Sequence, residues 1–343
     1  MTELSLLPER LLPWFQAHRR ELPWRRDREP YHVWVSEIML QQTRVEAVKG
    51  YYGRFLQCFP DVQALACAQE ETLLKIWEGL GYYSRARNLQ KAAKCIVERG
   101  GFPDTPEALQ ALPGIGAYTA GAICSICFEQ PTPAVDGNVL RVVSRYLADA
   151  SPVTDEKVKR QTAQRLAQVY PHGHCGDFTQ ALMELGATVC LPNGAPLCDC
   201  CPLCDLCVAK RAGTQQMLPV KAAKKPRRVE KRTVLLLRCD GRIAVCKRPA
   251  RGLLAGLWQF PDVAGELTDH EALALAEELG LRPRGIEKIV RRTHIFTHVQ
   301  WEMTGVYLTC GAQTRYRWVT PEELRSSISL PTAYRQFFDP SLF

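Results

Sequence analysis

The sequence predicts a multidomain chain, an all-α region followed by an α+β domain, and three observations carry that prediction. Through about residue 208, apolar residues recur at intervals of three and four, as in VWVSEIMLQQTRVEAVKGYYGRFL and RNLQKAAKCIVERG, with turn signals between the runs. KAAKKPRRVEKR, residues 221–232, is basic and short of large apolar side chains, as a linker near a polyanion would be. Beyond it the period changes from helical to alternating. TVLLLRCDGRIAVCKRP sets two β-rich runs around Asp240-Gly241, a hairpin signal. EALALAEELGL reads as a helix, and VQWEMTGVYLTC and TRYRWVT alternate as strands do. The expected boundaries are 1–208 for the helical region, 209–230 for the linker and 231–343 for the C-terminal domain. No internal repeat is present.

Bulk composition narrows the class. A chain of 343 residues with 46% hydrophobic and 23% charged residues has material for two or three globular cores. No run of 18 or more apolar residues exists, so no membrane-spanning helix is expected. The opening segment, MTELSLLPERLLPWFQAHRR, mixes apolar with charged residues and reads as an amphipathic helix, not an export signal. The expected location is therefore the cytoplasm, or the nucleus or mitochondrion of a eukaryote. A net charge of +8 suits a polyanionic partner. Of fifteen cysteines, six (Cys190, Cys198, Cys200, Cys201, Cys204 and Cys207) fall within eighteen residues, and the rest are scattered among apolar neighbours. Without an export signal, such clustering points to metal binding over disulfides.

LPGIGAYTA, residues 112–120, is a tight turn before a helix. Lacking a Cβ, Gly114 and Gly116 can adopt positive φ and turn backbone N–H groups outward at a helix N-terminus, a nest for a phosphate. The same spacing also serves a plain helix–turn–helix in which glycine permits close packing. Two carboxylates stand out with similar ambiguity. Glu37 precedes the apolar trio Ile38, Met39 and Leu40, and Asp136 begins what reads as another helix. The first fits a solvated helix residue and the second a simple N-cap. Alternatively they form the pair that cleavage of an N-glycosidic bond requires: an acid of raised pKa to protonate the leaving base, and an ionised carboxylate to steady the cationic sugar. Apolar neighbours would raise the pKa of Glu37, and helix-start N–H groups would keep Asp136 ionised.

The glycine turn resembles the helix–hairpin–helix motif of the DNA glycosylase superfamily that includes endonuclease III. In that superfamily, strand-cutting members place a lysine two residues after the last glycine; here that residue is Tyr118, which implies hydrolysis without strand cleavage. SEIMLQQT, GLGYYSRARN, LPGIGAYTAGAI, VDGNVLRV and ALMELGA, spread through the first two hundred residues, narrow the resemblance to the adenine DNA glycosylase (MutY) family. The resemblance implies a helical glycosylase domain with an iron–sulfur cluster loop, followed by a Nudix-like α+β domain. It makes Glu37 the general acid at adenine and Asp136 the cation stabiliser, with Tyr118 and Asn138 assisting at the sugar and the water. It assigns the adenine pocket to Arg20, Leu22, Trp24, Arg25, Leu40 and Glu184. Gln42 and Tyr82 become wedges that fill the stack when the base is flipped out. From the residues alone, Trp24 and Tyr82 read as core packing.

The cysteines admit two ligand sets. Cys198, Cys201, Cys204 and Cys207 have ferredoxin-like spacing, with two residues in each gap. The family pattern has gaps of six, two and five; Cys190, Cys198, Cys201 and Cys207 give seven, two and five, with the extra residue in the loop LPNGAP. The resemblance favours this second set as the holder of a 4Fe–4S cluster, leaving Cys200 and Cys204 as additional thiols. Four-cysteine zinc fits the spacing too.

In the C-terminal domain, GLLAGLWQFP and the pattern beyond residue 231 resemble the family's Nudix-like reader of 8-oxoguanine. Glu277 and Glu278 remain on its helix, but no Arg-Glu precedes them at the spacing a Nudix hydrolase needs, so no pyrophosphohydrolase activity is expected. The family's Phe-Ser-His reading loop corresponds to Phe296, Thr297 and His298. Outside the resemblance, His298 fits an ordinary hairpin surface. The implied function is hydrolytic release of adenine mispaired with 8-oxoguanine or guanine in duplex DNA, by a monomer. Two other readings stay open: an endonuclease III-like glycosylase/lyase for oxidised pyrimidines, and a non-catalytic iron–sulfur DNA-binding protein.

Overall fold

The computed structural model describes residues 3–222, 226–313 and 316–339. Linker residues 223–225 and the first two residues of TRYRWVT, 314 and 315, lie outside them. The chain divides into two compact units. The first gathers the residues through Ala68 and those from Arg87 to the linker; the second gathers Gln69–Ala86 and everything beyond the linker.

In the first unit, α1 (Leu7–His18) and a single 3₁₀ turn (Pro23–Arg25) lead into α2 (Pro30–Leu40), α3 (Val45–Cys58) and α4 (Val62–Cys67). The chain passes through α5 (Glu70–Ile76) of the second unit and returns along α6 (Ser84–Glu98). Then come α7 (Pro106–Gln110), α8 (Ala117–Phe128), α9 (Gly137–Leu147), α10 (Glu156–Ala167), α11 (Cys175–Thr188) and α12 (Val208–Arg211). α2 and α8 are apolar on every side, and each buries eight residues. Helices of that kind form only where neighbours cover them all round. α8 lies so close to the segment after it that a Cβ on Gly121 would stand 2.3 Å from the Pro133 carbonyl oxygen. α11 packs on α1, α8 and α9. Leu4, Leu7, Leu11 and Phe15 join Val139, Val142, Phe178 and Leu182 in one core.

The second unit holds β1 (Arg228–Cys239), β2 (Arg242–Lys247), β3 (Trp258–Gln259), β4 (Asp262–Ala264), α13 (Asp269–Glu278), β5 (Pro283–Ile295), β6 (Val299–Cys310), β7 (Arg317–Val319), α14 (Pro321–Ser326) and α15 (Thr332–Arg335). Its mixed sheet runs β3-β2-β1-β6-β5, with β4 on β1 and β7 on β2. β1 and β6 are parallel, Leu235 opposite Val306. The Asp240-Gly241 turn has φ of 50° and 71°, the left-handed pair of a two-residue hairpin, and closes with Cys239 opposite Arg242. Strand alternation divides the β1 run between two cores. Val234 and Leu236 pack with Trp301 and Tyr334 on one face, and Leu235 and Leu237 pack with Ala272 and Ala276 of α13 on the other. Glu277 and Glu278 stay exposed on α13.

Two features depart from the expected organisation. The first unit continues past residue 208: Ala209 and Leu218 are buried, and Val153 N–H donates to the Val220 carbonyl at 3.0 Å. Residues 69–86 belong with the C-terminal part, where Ser329 Oγ donates to the Leu74 carbonyl at 2.9 Å and Leu330 N–H to Glu78 at 2.8 Å. Partners some 250 residues apart leave no local signal. Among the described residues, no helix is long and apolar enough to cross a membrane.

Gly121→Ala must push α8 from the Pro133 segment. We expect a loss of about 1–3 kcal/mol in urea unfolding of the helical unit, the usual cost of overpacking. A loss below about 0.5 kcal/mol would show that α8 shifts freely.

Candidate active site

Glu37 sits in the second half of α2 and is 6% exposed. An apolar helix offers a carboxylate no water, so burial drives its pKa up to about 7. The Tyr118 hydroxyl, from the first turn of α8, donates to Glu37 Oε2 and pulls the pKa down, Asp136 pushes it up, and Arg25 lowers it. These couplings place the acid, the tyrosine and the second carboxylate together.

Asp136 is the N-cap of α9, accepting from Val139 N–H at 2.7 Å and Asn138 Nδ2 at 2.7 Å. These are the helix-start donors expected to favour its ionised form, and burial works against them. Burial is the largest effect and raises its pKa, while Val139, Asn138 and Arg141 oppose the rise. Asn138 thus supports Asp136 directly, and its own Oδ1 accepts from Arg141 Nη2 at 2.8 Å. Arg141 also donates to the carbonyls of Gly186 and Cys190, each at 2.7 Å. A Cβ on Gly186 would lie 2.5 Å from Asn138 Cβ, so glycine there lets α11 press the start of α9 into place.

Both carboxylates open on one cavity of about 890 Å³ in the first unit. Of the expected pocket residues, Arg20, Leu22, Trp24, Arg25, Leu40 and Glu184 all line it, as do Tyr118, Asn138 and Gln42. Leu22 and Trp24 are buried, with Trp24 edge-on to Tyr52 at 5.5 Å. Glu184 is engaged on both oxygens: Arg20 Nε reaches Oε1 at 2.6 Å, and Arg20 Nη2 and Arg25 Nη2 reach Oε2 at 2.9 and 2.8 Å. Burial would raise the Glu184 pKa, but the two guanidiniums together bring it below the ordinary value. Arg141 lines the cavity as well and was not foreseen. The available signal was a lone arginine inside the apolar run NVLRVV.

The glycine turn joins α7 to α8 as a helix–hairpin–helix. Gly114 has φ of 77°, and a Cβ there would stand 2.7 Å from Asn88 Cβ. Gly116, expected to share positive φ, instead has φ −94° and ψ 179°, an extended N-cap without a side-chain cap. Its Cβ would meet nothing within 4 Å, so what glycine gives there is an open approach to the first-turn amides. Gln42 and Tyr82, the expected wedges, both hold left-handed backbone, φ 60° and 46°. For residues with a Cβ that conformation costs on the order of 1–2 kcal/mol and marks an imposed geometry. Tyr82 belongs to the second unit; it is 48% exposed and hydrogen-bonds Thr297 Oγ1 at 2.8 Å. Thr297 and His298 are exposed, and Phe296 is half-buried.

Cys190, Cys198, Cys201, Cys204 and Cys207 all line one recess of the first unit, and Cys200 is exposed. The Cys201 thiol is pushed up to about 12 by burial and then by the neighbouring Cys190, Cys207 and Cys198. Arg145 Nη1 lies 3.3 Å from Cys190 Sγ. Thiols gathered in one recess suit an iron–sulfur cluster by donor type, and four-cysteine zinc takes the same donors.

Comparison with known proteins gives this geometry its family. Residues 35–168 match the family of HhH-GPD superfamily base excision DNA repair proteins, and residues 233–339 match the NUDIX domain. The adenine DNA glycosylase of Rattus norvegicus is 36% identical over 98% of this chain and 78% of its own length. The chain belongs to the adenine DNA glycosylase family. That of Homo sapiens is likewise 36% identical, over 98% of this chain and 74% of its own. Among solved structures, a thermostable thymine-DNA glycosylase matches with TM-score 0.55 and 26% identity, covering 61% of this chain and 97% of that one. An endonuclease III–DNA complex, at TM-score 0.52 and 23% identity over 63% of this chain and 99% of that one, shares the fold.

A raised pKa carries a stability signature. The folded protein retains the Glu37 proton between the ordinary value of 4.5 and about 7, where the unfolded chain has released it. Folding stability from this group therefore falls as pH climbs through that window. Glu37→Gln, which cannot ionise, should gain stability relative to the parent between about pH 5 and 7.5, read by urea unfolding at each pH; a constant difference would mean the carboxyl titrates normally. Tyr118→Phe removes a donor to the anion, so the window should extend to higher pH.

Proposed function

We propose that this glycosylase hydrolyses the N-glycosidic bond of adenine mispaired with 8-oxoguanine or guanine in duplex DNA, and leaves the strand uncut. The observation that carries this reading is the meeting of Glu37 and Asp136 at one cavity, the first with its pKa lifted to about 7. A duplex hides the bond, so the adenine must be flipped out, at a cost of roughly a few kcal/mol. Leu22 and Trp24 offer the base an apolar wall, and Gln42 stands at the same cavity to occupy the vacated stack.

Protonated Glu37 gives its proton to a ring nitrogen of adenine, turning a poor leaving group into a neutral one. As the bond from C1′ breaks, its electron pair leaves with the base and positive charge spreads over the sugar. Ionised Asp136, steered by Asn138 and Val139 N–H, stabilises that cation. Water then adds to C1′ and gives up a proton, restoring an acid and a carboxylate. Tyr118 supplies no amine to attack the sugar, and its hydroxyl is committed to Glu37. Strand cleavage through a Schiff base therefore has no nucleophile at this position. Phosphates are held by the amides after Gly114, and the net charge of +8 favours the duplex generally. In the second unit, Phe296, Thr297 and His298 read the base opposite the adenine, the threonine hydroxyl serving as donor or acceptor. Cys190, Cys198, Cys201 and Cys207 would hold a 4Fe–4S cluster, which would tie down the loop from 190 to 207 and leave the hydrolysis to the carboxylates.

Single-turnover reactions on duplexes with adenine opposite 8-oxoguanine test this reading. Free adenine should appear, with strand breaks only after alkali or heat; direct nicking, or binding without release, would sink it. Glu37→Gln should still bind the mismatch but release adenine roughly 10²–10⁴-fold more slowly. For the cluster, Cys190→Ser should lose the brown visible absorbance and Cys204→Ser should keep it. The opposite outcome assigns the ferredoxin-like set.

A further inference from the structure

We infer that Trp301, gripped by Arg232 and Arg248, is the positioning residue that fixes the Phe296–Thr297–His298 loop and so sets discrimination between 8-oxoguanine and guanine. This rests on the reading of that loop given above. Trp301 is 1% exposed on β6, in register with Glu230 of β1 and His294 of β5. Its indole N–H donates to Glu230 Oε2 at 2.9 Å. The guanidinium carbons of Arg232 and Arg248 stand 4.7 and 5.3 Å from its ring. Two cations against one ring repel each other unless an anion joins them, and Asp262 does so. Arg232 Nε reaches its Oδ2 at 2.6 Å and Arg248 Nη1 at 3.9 Å, and the carboxylate is 4% exposed. Tyr334 Oη donates to Asp262 at 2.9 Å and Gln259 Nε2 at 2.8 Å, completing its partners.

One aromatic contact passes from this buried network toward the loop. The Phe296 ring meets Trp301 edge-on at 4.8 Å and 71°, and meets His294 at 4.5 Å on another side. Phe296 N–H donates to the Val299 carbonyl at 2.8 Å, and Arg227 Nε donates to the Phe296 carbonyl at 3.2 Å. With Phe296 pinned, the exposed tip is reduced to Thr297 and His298. 8-Oxoguanine differs from guanine at one edge, by an oxygen at C8 and a proton at N7. Telling them apart depends on a hydrogen-bonding group held at the right distance from that edge before the DNA arrives. A loop released from its anchor would spend binding free energy on becoming ordered. Trp301 therefore acts through Phe296 and touches no DNA itself.

The test compares the full chain with its Trp301→Leu and Trp301→Phe variants on duplexes carrying adenine opposite 8-oxoguanine or opposite guanine. Dissociation constants and single-turnover excision rates are measured on both. In Trp301→Leu the parent's preference for 8-oxoguanine should fall about tenfold, chiefly in binding, while Trp301→Phe retains it within about threefold. An unchanged preference in the leucine variant would overturn the inference, as would an equal fall on both duplexes, which marks general damage to the fold. If the parent itself shows no preference while still releasing adenine, the lesion-reading role of the loop fails first and the inference goes with it.

Discussion

A carboxyl group buried in an apolar helix is the constraint around which the helical unit is arranged. Glu37 cannot be ionised cheaply where α2 puts it, and burial moves its pKa to about 7. That placement requires α2 to be covered on all sides, and α8 is one of the helices packed on it. The same approach delivers the Tyr118 hydroxyl to the acid. A polar group sunk into the core thus fixes how the surrounding helices meet.

A second, half-buried carboxylate nearby would be costly without donors. Asp136 is surrounded by them: its own cap, the Asn138 amide, and Arg141 behind that amide. Arg141 is held in turn by the carbonyls of Gly186 and Cys190, so the start of α9, the end of α11 and the cysteine loop share one guanidinium. On another wall of the cavity, Glu184 does the converse and anchors Arg20 and Arg25. The cavity is thus walled by apolar side chains and by charges several of which, Glu37, Asp136, Arg141 and Glu184 among them, already have partners.

The second unit follows a different logic. Its sheet separates two cores through the alternation of β1, and its hydrogen-bonded edge β5 carries mostly exposed residues. Charged residues along such an edge discourage further strand addition. The strand continues into the loop bearing Phe296, Thr297 and His298, where a buried aromatic contact meets an exposed tip.

Local chemistry was legible in the sequence. The Asp240-Gly241 hairpin needs only two residues that accept left-handed backbone, and the N-cap at Asp136 needs only a short side chain ahead of a helix; both stand where the sequence put them. The family motifs named the pocket residues, and the cavity gathers Arg20, Trp24, Glu37 and Glu184 from stretches of chain far apart. β5 was missed because its pattern of charges conceals any alternation, and Gly116 was misjudged because spacing does not reveal φ. The sequence by itself determined which groups could act as acid, cap, cation and thiol, since those are properties of side chains and their neighbours. Only the tertiary structure decided that burial outweighs the donors at Asp136, that Arg141 joins the site, and that residues 69–86 fold with the C-terminal part. Desolvation and long-range pairing are sums over atoms brought together by folding, and no local window of the chain contains them.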